Sequence, residues 1–247
     1  MNTDFDSMIN NIVLGDCYEL IKKIPDNSID LIITDPPYEM VTGGHGSGKL
    51  ADRKTIQNET FREQGLYDGF KNDILLEFVR VLKKINIYIW CSKNQIYQIM
   101  DFFNKLDKEL NFDIITWHKT NPAPLANMTY LNDTEYCINF REQGCIIRGD
   151  LEQKKKYYVT SLNKNDKDKF KHPTIKPLEM ISNLVINSSN KNDLVLDCFC
   201  GSGTTCVACK NNNRRFIGME INKEYYDVAV KRLNNEDANG QLSIFTV

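Results

Sequence analysis

Seven short apolar or β-branched runs constrain this chain most, because helical repeats separate most of them. The runs are Asn11 to Leu14, Ile29 to Thr34, Ile85 to Cys91, Phe112 to His118, Glu135 to Phe140, Leu194 to Asp197 and Phe216 to Glu220. Their length and composition predict strands. Spacing of i, i+3, i+4, i+7 recurs at Cys17, Leu20, Ile21 and Ile24, at Leu75, Phe78, Val79 and Leu82, at Ile96, Ile99, Met100 and Phe103, and at Tyr226, Ala229, Val230 and Leu233. It predicts four amphipathic helices. A fifth is expected from Leu178 to Asn187, with Pro177 suited to its first turn. Strands alternating with helices give an α/β fold with a mostly parallel sheet and helices on both faces. Between Asp113 and Ile147 the strands follow each other without room for helices, so an antiparallel edge is expected there.

One domain spanning residues 1–247 is within reach of a single hydrophobic core. With 41% hydrophobic and 26% charged residues the composition is that of a soluble globular protein, which excludes a collagen-like or largely disordered chain. No run of about 18 apolar residues is present, and the opening MNTDFDSMINN has no signal-peptide character. A cytoplasmic protein with no membrane partner is therefore expected, its eight cysteines mostly reduced thiols.

The net charge of -2 conceals an asymmetry: from Arg141 to Lys176 there are ten Lys/Arg against five Asp/Glu. Such a segment reads as a solvated loop or as a surface that meets a polyanion. Two stretches lack periodicity, Glu39 to Gly69 and Lys154 to Lys171. Both exceed ordinary connections, which marks a mobile loop over 39–70 and a functional loop in the basic stretch.

Three segments carry chemistry. In the first, the apolar strand ending at Thr34 runs straight into Asp35-Pro36-Pro37-Tyr38. Each proline fixes its own φ and extends the residue before it, which holds the Asp35 carboxylate at the carboxyl edge of a parallel sheet, where ligands of open α/β sheets bind. The carboxylate and the Pro36 carbonyl make two fixed acceptors beside the Tyr38 ring. Their complement is a primary amino group on a planar heterocycle. In the second, the strand Asp193 to Asp197 is followed by Cys198-Phe199-Cys200-Gly201-Ser202-Gly203-Thr204-Thr205, a glycine-rich turn opening a helix. Glu220 ends the next strand 19 residues after Gly201, a spacing at which an acidic residue commonly takes ribose hydroxyls. The third, His172-Pro173-Thr174-Ile175-Lys176-Pro177, reads by itself only as a helix start.

Other chemistries fit less well. Gly43 to Leu50 nearly spells a P-loop, but Leu50 lacks the hydroxyl that reaches magnesium. Cys198, Cys200, Cys206 and Cys209 straddle one turn and one helix face rather than the separate turns of a zinc site. A nicotinamide fingerprint needs a third glycine where Cys206 stands.

Taken together, the motifs resemble the S-adenosylmethionine-dependent DNA amino-methyltransferases with permuted motif order, the β group. The Asp35 to Tyr38 motif comes first and Phe199-Cys200-Gly201-Ser202-Gly203 follows about 160 residues later. The likeness extends to Leu14-Gly15-Asp16-Cys17, Trp117-His118-Lys119, His172 to Pro177 and Gly218 to Asn222. It implies a Rossmann-like methyltransferase fold and methylation of a flipped base, adenine N6 in double-stranded DNA, since Asp at the first motif position resembles the adenine enzymes. Cytosine N4 and a catalytically silent nucleic-acid-binding relative stay open as alternatives.

The resemblance also distributes roles. Asp35, Pro36 and Tyr38 are the catalytic set. Asp16 lies near the cofactor adenine, with Cys17 beside it. Phe199, Gly201, Gly203 and Thr204 surround the methionine end. Asp197, Ser202 and Asp35 complete that set, Glu220 takes the ribose, and Lys176 with Thr174 takes the cofactor carboxylate. No metal is expected. The 141–171 insertion is a small target-recognition element, shorter than is common in the family. A homodimer and a companion restriction enzyme are left open.

Overall fold

The computed structural model describes residues 4–39, 69–122, 130–161 and 175–234. Most of the 39–70 loop, part of the basic insertion and Thr174 lie outside the described residues.

Eight strands form one sheet: β1 (Asn11–Leu14), β2 (Leu31–Thr34), β3 (Asn86–Cys91), β4 (Leu110–Lys119), β5 (Thr134–Glu142), β6 (Tyr157–Thr160), β7 (Leu194–Asp197) and β8 (Arg215–Glu220). Their spatial order is β1-β8-β7-β2-β3-β5-β4-β6. Every pairing is parallel except those of β5 with β3 and with β4. The antiparallel pairing thus lies inside β4 and β6, and the outermost strand, β6, is parallel to its neighbour.

Alternate residues of the central strands enter two apolar layers, as strands covered on both faces require. Ile32, Ile87, Ile89, Leu196 and Ile217 face one layer, packed by α2 (Cys17–Leu20), α3 (Asp73–Val81) and α4 (Gln95–Asn104) through Leu20, Leu75, Phe78, Ile99 and Phe103. Leu31, Ile33, Trp90 and Val195 face the other, packed by α5 (Leu178–Ser188), α6 (Thr204–Asn211) and α7 (Lys223–Leu233) through Ile181, Leu184, Ala208 and Ala229. This is the Rossmann-like arrangement expected. A short N-terminal helix, α1 (Phe5–Met8), precedes β1, and no described helix is long and apolar enough to cross a membrane.

Three local readings change. Cys17 to Ile24 is a single α-turn continued by a 3-10 turn at Ile21–Lys23, not one regular helix. Pro177 stands at the N-cap of α5, one residue ahead of the first turn. β6 lies inside the stretch read as aperiodic: Tyr157-Tyr158-Val159-Thr160 has the aromatic and β-branched make-up of a strand, but lysines precede it directly.

The glycine-rich turn explains Cys206. In a dinucleotide fold the third glycine lets helix and strand approach closely. Here Gly218 on β8 does so from the other side: a Cβ on it would lie 2.6 Å from the Cys206 sulfur. Gly203 caps α6 at φ 77°, and a Cβ there would meet the Ala229 Cβ at 3.0 Å. Left-handed backbone costs a non-glycine residue about 1–2 kcal/mol before any clash. Gly203→Ala is therefore expected to lose at least that much in urea unfolding; an unchanged midpoint contradicts the packing described.

Candidate active site

The chain climbs β2 and β3 on one side of the sheet and β7 and β8 on the other, so the order reverses between β2 and β7. A crevice opens at such a point beyond the carboxyl ends of the strands. Ile32 of β2 pairs with Leu196 of β7, which sets Thr34 beside Asp197, and the Thr34 hydroxyl donates to Asp197 Oδ1 at 2.9 Å.

Asp35 follows at once, and the Pro-Pro turn is stapled from the far side. Gln95, fully buried at the start of α4, donates to the Pro37 carbonyl at 2.9 Å and accepts from the Ser92 backbone N–H. Pro36 is buried, while Pro37 and Tyr38 are half-buried at the mouth.

On the β7 side, Phe199 N–H donates to Asp197 Oδ1 at 3.2 Å. The Gly201 N–H donates to Glu220 Oε2 and the Asn222 N–H to Glu220 Oε1, both at 2.8 Å. Arg232 of α7, buried, donates to the Ser202 carbonyl and hydroxyl and to the Thr204 hydroxyl. Asp16 caps α2 at the rim, accepting from Tyr18 N–H at 2.9 Å.

One cavity of about 460 Å³ joins the two sides, within the range of about 300–1,000 Å³ usual for small-molecule sites. It is lined by Asp16, Cys17 and Glu220 at one end and by Asp35, Pro36, Tyr38 and Lys176 at the other, with Asp197, Phe199, Gly201, Ser202 and Thr204 between. The expected residues thus converge, with two exceptions. Gly203 does not line the cavity; it packs on α7. Thr174 is outside the described residues.

Four charged groups and a phenol meet at the Asp35 end. Lys176 pairs with Asp35 Oδ2 and, at 3.0 Å, with Glu135 Oε2; Lys119 pairs with Glu135 Oε1. The Tyr38 hydroxyl donates to Glu135 Oε2 at 3.2 Å. Burial pushes the Asp35 carboxyl above its ordinary range, against the pull of Lys176. Glu135 is also penalised by burial, yet Lys176 and Lys119 bring it down to about 2. Among the described residues, Asp35 Oδ1 and, beside it in the cavity lining, Trp90 Nε1 are buried without a hydrogen-bond partner, a costly state for the acceptor unless a ligand supplies a donor.

Sequence reading missed Glu135, Gln95 and Arg232 as parts of this site. For Glu135 a signal existed. β5 runs against its neighbours, so its first residues lie at the edge where parallel strands end, as the Cys91 to Tyr136 pairing shows. Lys176, expected near a cofactor carboxylate, sits in the Asp35 corner, paired with Asp35 and Glu135.

Burial pushes Asp197 up to about 7 from 3.8, opposed by the Thr205 and Thr34 hydroxyls. Between those values the folded protein keeps a proton that the unfolded chain releases, so stability falls as pH rises through that window. Asp35 and Glu220, also raised by burial, act in the same direction. The thermal midpoint of the ligand-free protein is therefore expected to fall between about pH 5 and pH 7, and Asp197→Asn to flatten that fall. A midpoint that rises over the interval contradicts the assignment.

The comparisons with known proteins agree with this geometry. Residues 29–231 match the family described as DNA methylase. The type II methyltransferase M.HinfI of Haemophilus influenzae is 33% identical over 97% of this chain and 72% of its own length. The type II methyltransferase M2.MboI of Moraxella bovis is 32% identical over 90% of this chain and 86% of its own. A crystal structure of an M1.HpyAVI-SAM complex superposes with a TM-score of 0.65 at 28% identity, covering 91% of this chain and 99% of that one. In this chain the acidic Pro-Pro corner and the glycine-rich turn share one crevice, and the sequence matches along most of its length: the chain belongs to the DNA methylase family.

Proposed function

We propose that the protein transfers a methyl group from S-adenosylmethionine to the N6 amino group of an adenine flipped out of double-stranded DNA. The observation that carries this reading is Asp35 Oδ1, an unpartnered buried acceptor in the cavity that runs on to Glu220. The cavity fits the cofactor: backbone N–H groups of Gly201 and Asn222 orient the Glu220 carboxylate, which keeps acceptor capacity for a ribose hydroxyl. Asp16 and Cys17 would flank the adenine end, and Phe199, Gly201, Ser202 and Thr204 the methionine end. When bound there, S-adenosylmethionine supplies a methyl group activated by its sulfonium.

The chain's own residues act on the acceptor. A base within a duplex cannot reach the cavity, so it must be extruded, and Tyr38 offers a ring to stack on. The exocyclic amine is a poor nucleophile because its lone pair is delocalised into the ring. Asp35 Oδ1 and the Pro36 carbonyl accept its two N–H bonds, which favours a tetrahedral nitrogen and stabilises the charge developing there. Holding the amine in line with the methyl donor supplies much of the remaining acceleration. Adenine is preferred to cytosine because of the likeness of Asp35 to Tyr38 to the adenine enzymes.

DNA would be gripped partly by the 141–171 insertion, though less of it is available than its charge suggests. Arg141 is tied to Asp113 at 2.7 Å and Asn139 at 2.9 Å. Lys155 pairs with Glu152, and Lys156 with Asp113.

The test is to incubate the protein with DNA and labelled S-adenosylmethionine and resolve the nucleosides by mass spectrometry. N6-methyladenine is expected. N4-methylcytosine would overturn the choice of base, and no methylated nucleoside would overturn the reading.

A further inference from the structure

Lys176 is enclosed on every side, with only 7% of its side chain exposed. Its ammonium reaches Asp35 Oδ2, Glu135 Oε2 at 3.0 Å and the Tyr38 hydroxyl at 3.2 Å. An ammonium has three N–H donors, so these three acceptors use all of them. Two rings close around the remainder: Nζ lies 5.4 Å from the Tyr38 centroid and 5.1 Å from the Trp90 centroid, where a cation is drawn to a ring face. Behind it, Lys119 holds the other oxygen of Glu135. The charges alternate across four parts of the fold, Asp35 after β2, Lys176 before α5, Glu135 on β5 and Lys119 on β4.

We propose that Lys176, anchored by Glu135 and Lys119, is a positioning residue for the Asp35 carboxylate rather than a ligand of the cofactor carboxylate. Resting on the methyl-transfer reading above, it ties Oδ2 so that Oδ1 alone faces the amino group, and it keeps the carboxylate ionised. A protonated Asp35 could not accept in the same way, because one of its oxygens would become a donor. Among the described residues, few groups face this carboxylate. Glu135 and Cys137 come from β5, Cys91 from β3, Asp197 from β7, and Tyr38 from the turn after β2. Lys176 is the cation among them in direct contact with Asp35. Without it, burial and the neighbouring carboxylates push the Asp35 carboxyl upward unopposed.

The experiment compares wild type with Lys176→Met and Lys176→Arg. The readouts are the Kd for S-adenosylmethionine by calorimetry and the single-turnover methylation rate as a function of pH. For Lys176→Met the Kd is expected to stay within about threefold, less than loss of a charged hydrogen bond would cost. The rate at neutral pH falls about 100-fold, and the acidic limb of the profile moves up by about one unit or more. Lys176→Arg keeps the charge but not the fit, so its rate falls while its limb and its Kd stay in place. It carries the same measurement should the methionine variant not fold. A Kd weakened about tenfold or more in either variant makes Lys176 a cofactor ligand and overturns the proposal. A slower Lys176→Met whose limb has not moved overturns it too. A wild-type protein that methylates nothing would instead defeat the underlying reading, which keeps the two failures distinct.

Discussion

Asp35→Asn is expected to slow single-turnover methyl transfer by about 100- to 1,000-fold, the usual loss when one preorganised group that meets developing charge is removed. The substitution keeps the shape of the side chain and removes its charge. Oδ1 is a buried acceptor of the corner with no partner among the described residues, and an amide there either turns its NH2 toward the amino group or accepts without a formal charge. Neither stabilises a nitrogen that is becoming positive. S-adenosylmethionine affinity should change little, because the part of the cavity proposed for the ribose is built on Glu220, Gly201 and Asn222, away from Asp35. Stability should fall, because Lys176 and Lys119 are left with Glu135 as their one carboxylate, but by less than on loss of Glu135, since the Asp35 side chain is 27% exposed and Lys176 keeps Glu135 and the Tyr38 hydroxyl. Quenched-flow rates, cofactor titration and thermal unfolding on one preparation check the three parts together. Methylation within tenfold of wild type would remove Asp35 from the chemistry.

How far the sequence reveals this site depends on whether the signal is local. β2, β7 and β8 are short apolar runs ending in acidic residues or in Asp35's turn, and each is buried along nearly its whole length. Period and punctuation sufficed to find them, and with them the acidic corner and the carboxylate of Glu220 at the other end of the cavity. β6 escaped because a four-residue strand flanked by lysines carries too little pattern to outweigh its surroundings. The charge chain escaped for a different reason. Glu135 reaches Lys176 and Lys119, and so joins the Asp35 corner, because β5 is antiparallel and starts where its neighbours stop. Strand direction is a property of the sheet, and no residue near Glu135 encodes it. The same holds for the basic segment, whose ends, Arg141 and Lys176, turn inward to carboxylates far away in sequence.

Glu135→Ala is expected to cost about 3–5 kcal/mol of stability, the usual loss when one member of a buried ion pair is removed. For a chain of this size that is a fall of roughly 6–20 °C in Tm. Glu135 is 12% exposed and lies between Lys176 and Lys119, themselves 7% and 13% exposed. Its removal leaves two enclosed ammonium groups facing one carboxylate. The sign with pH follows from its depressed pKa, about 2 against 4.5. Its contribution is fully present above about pH 4.5 and is lost as pH falls toward 2, so the gap between wild type and variant is widest at neutral pH and narrows in acid. A second substitution separates lost charge from lost packing. In Glu135→Leu with Lys119→Met the uncompensated cation is gone, and apolar side chains of similar size replace the pair, an exchange that is often neutral or better. Most of the lost Tm should then return. Methyl transfer should not, because Lys176 still lacks the anchor that holds it against Asp35. If activity returned together with stability, Glu135 would be needed only to hold the fold.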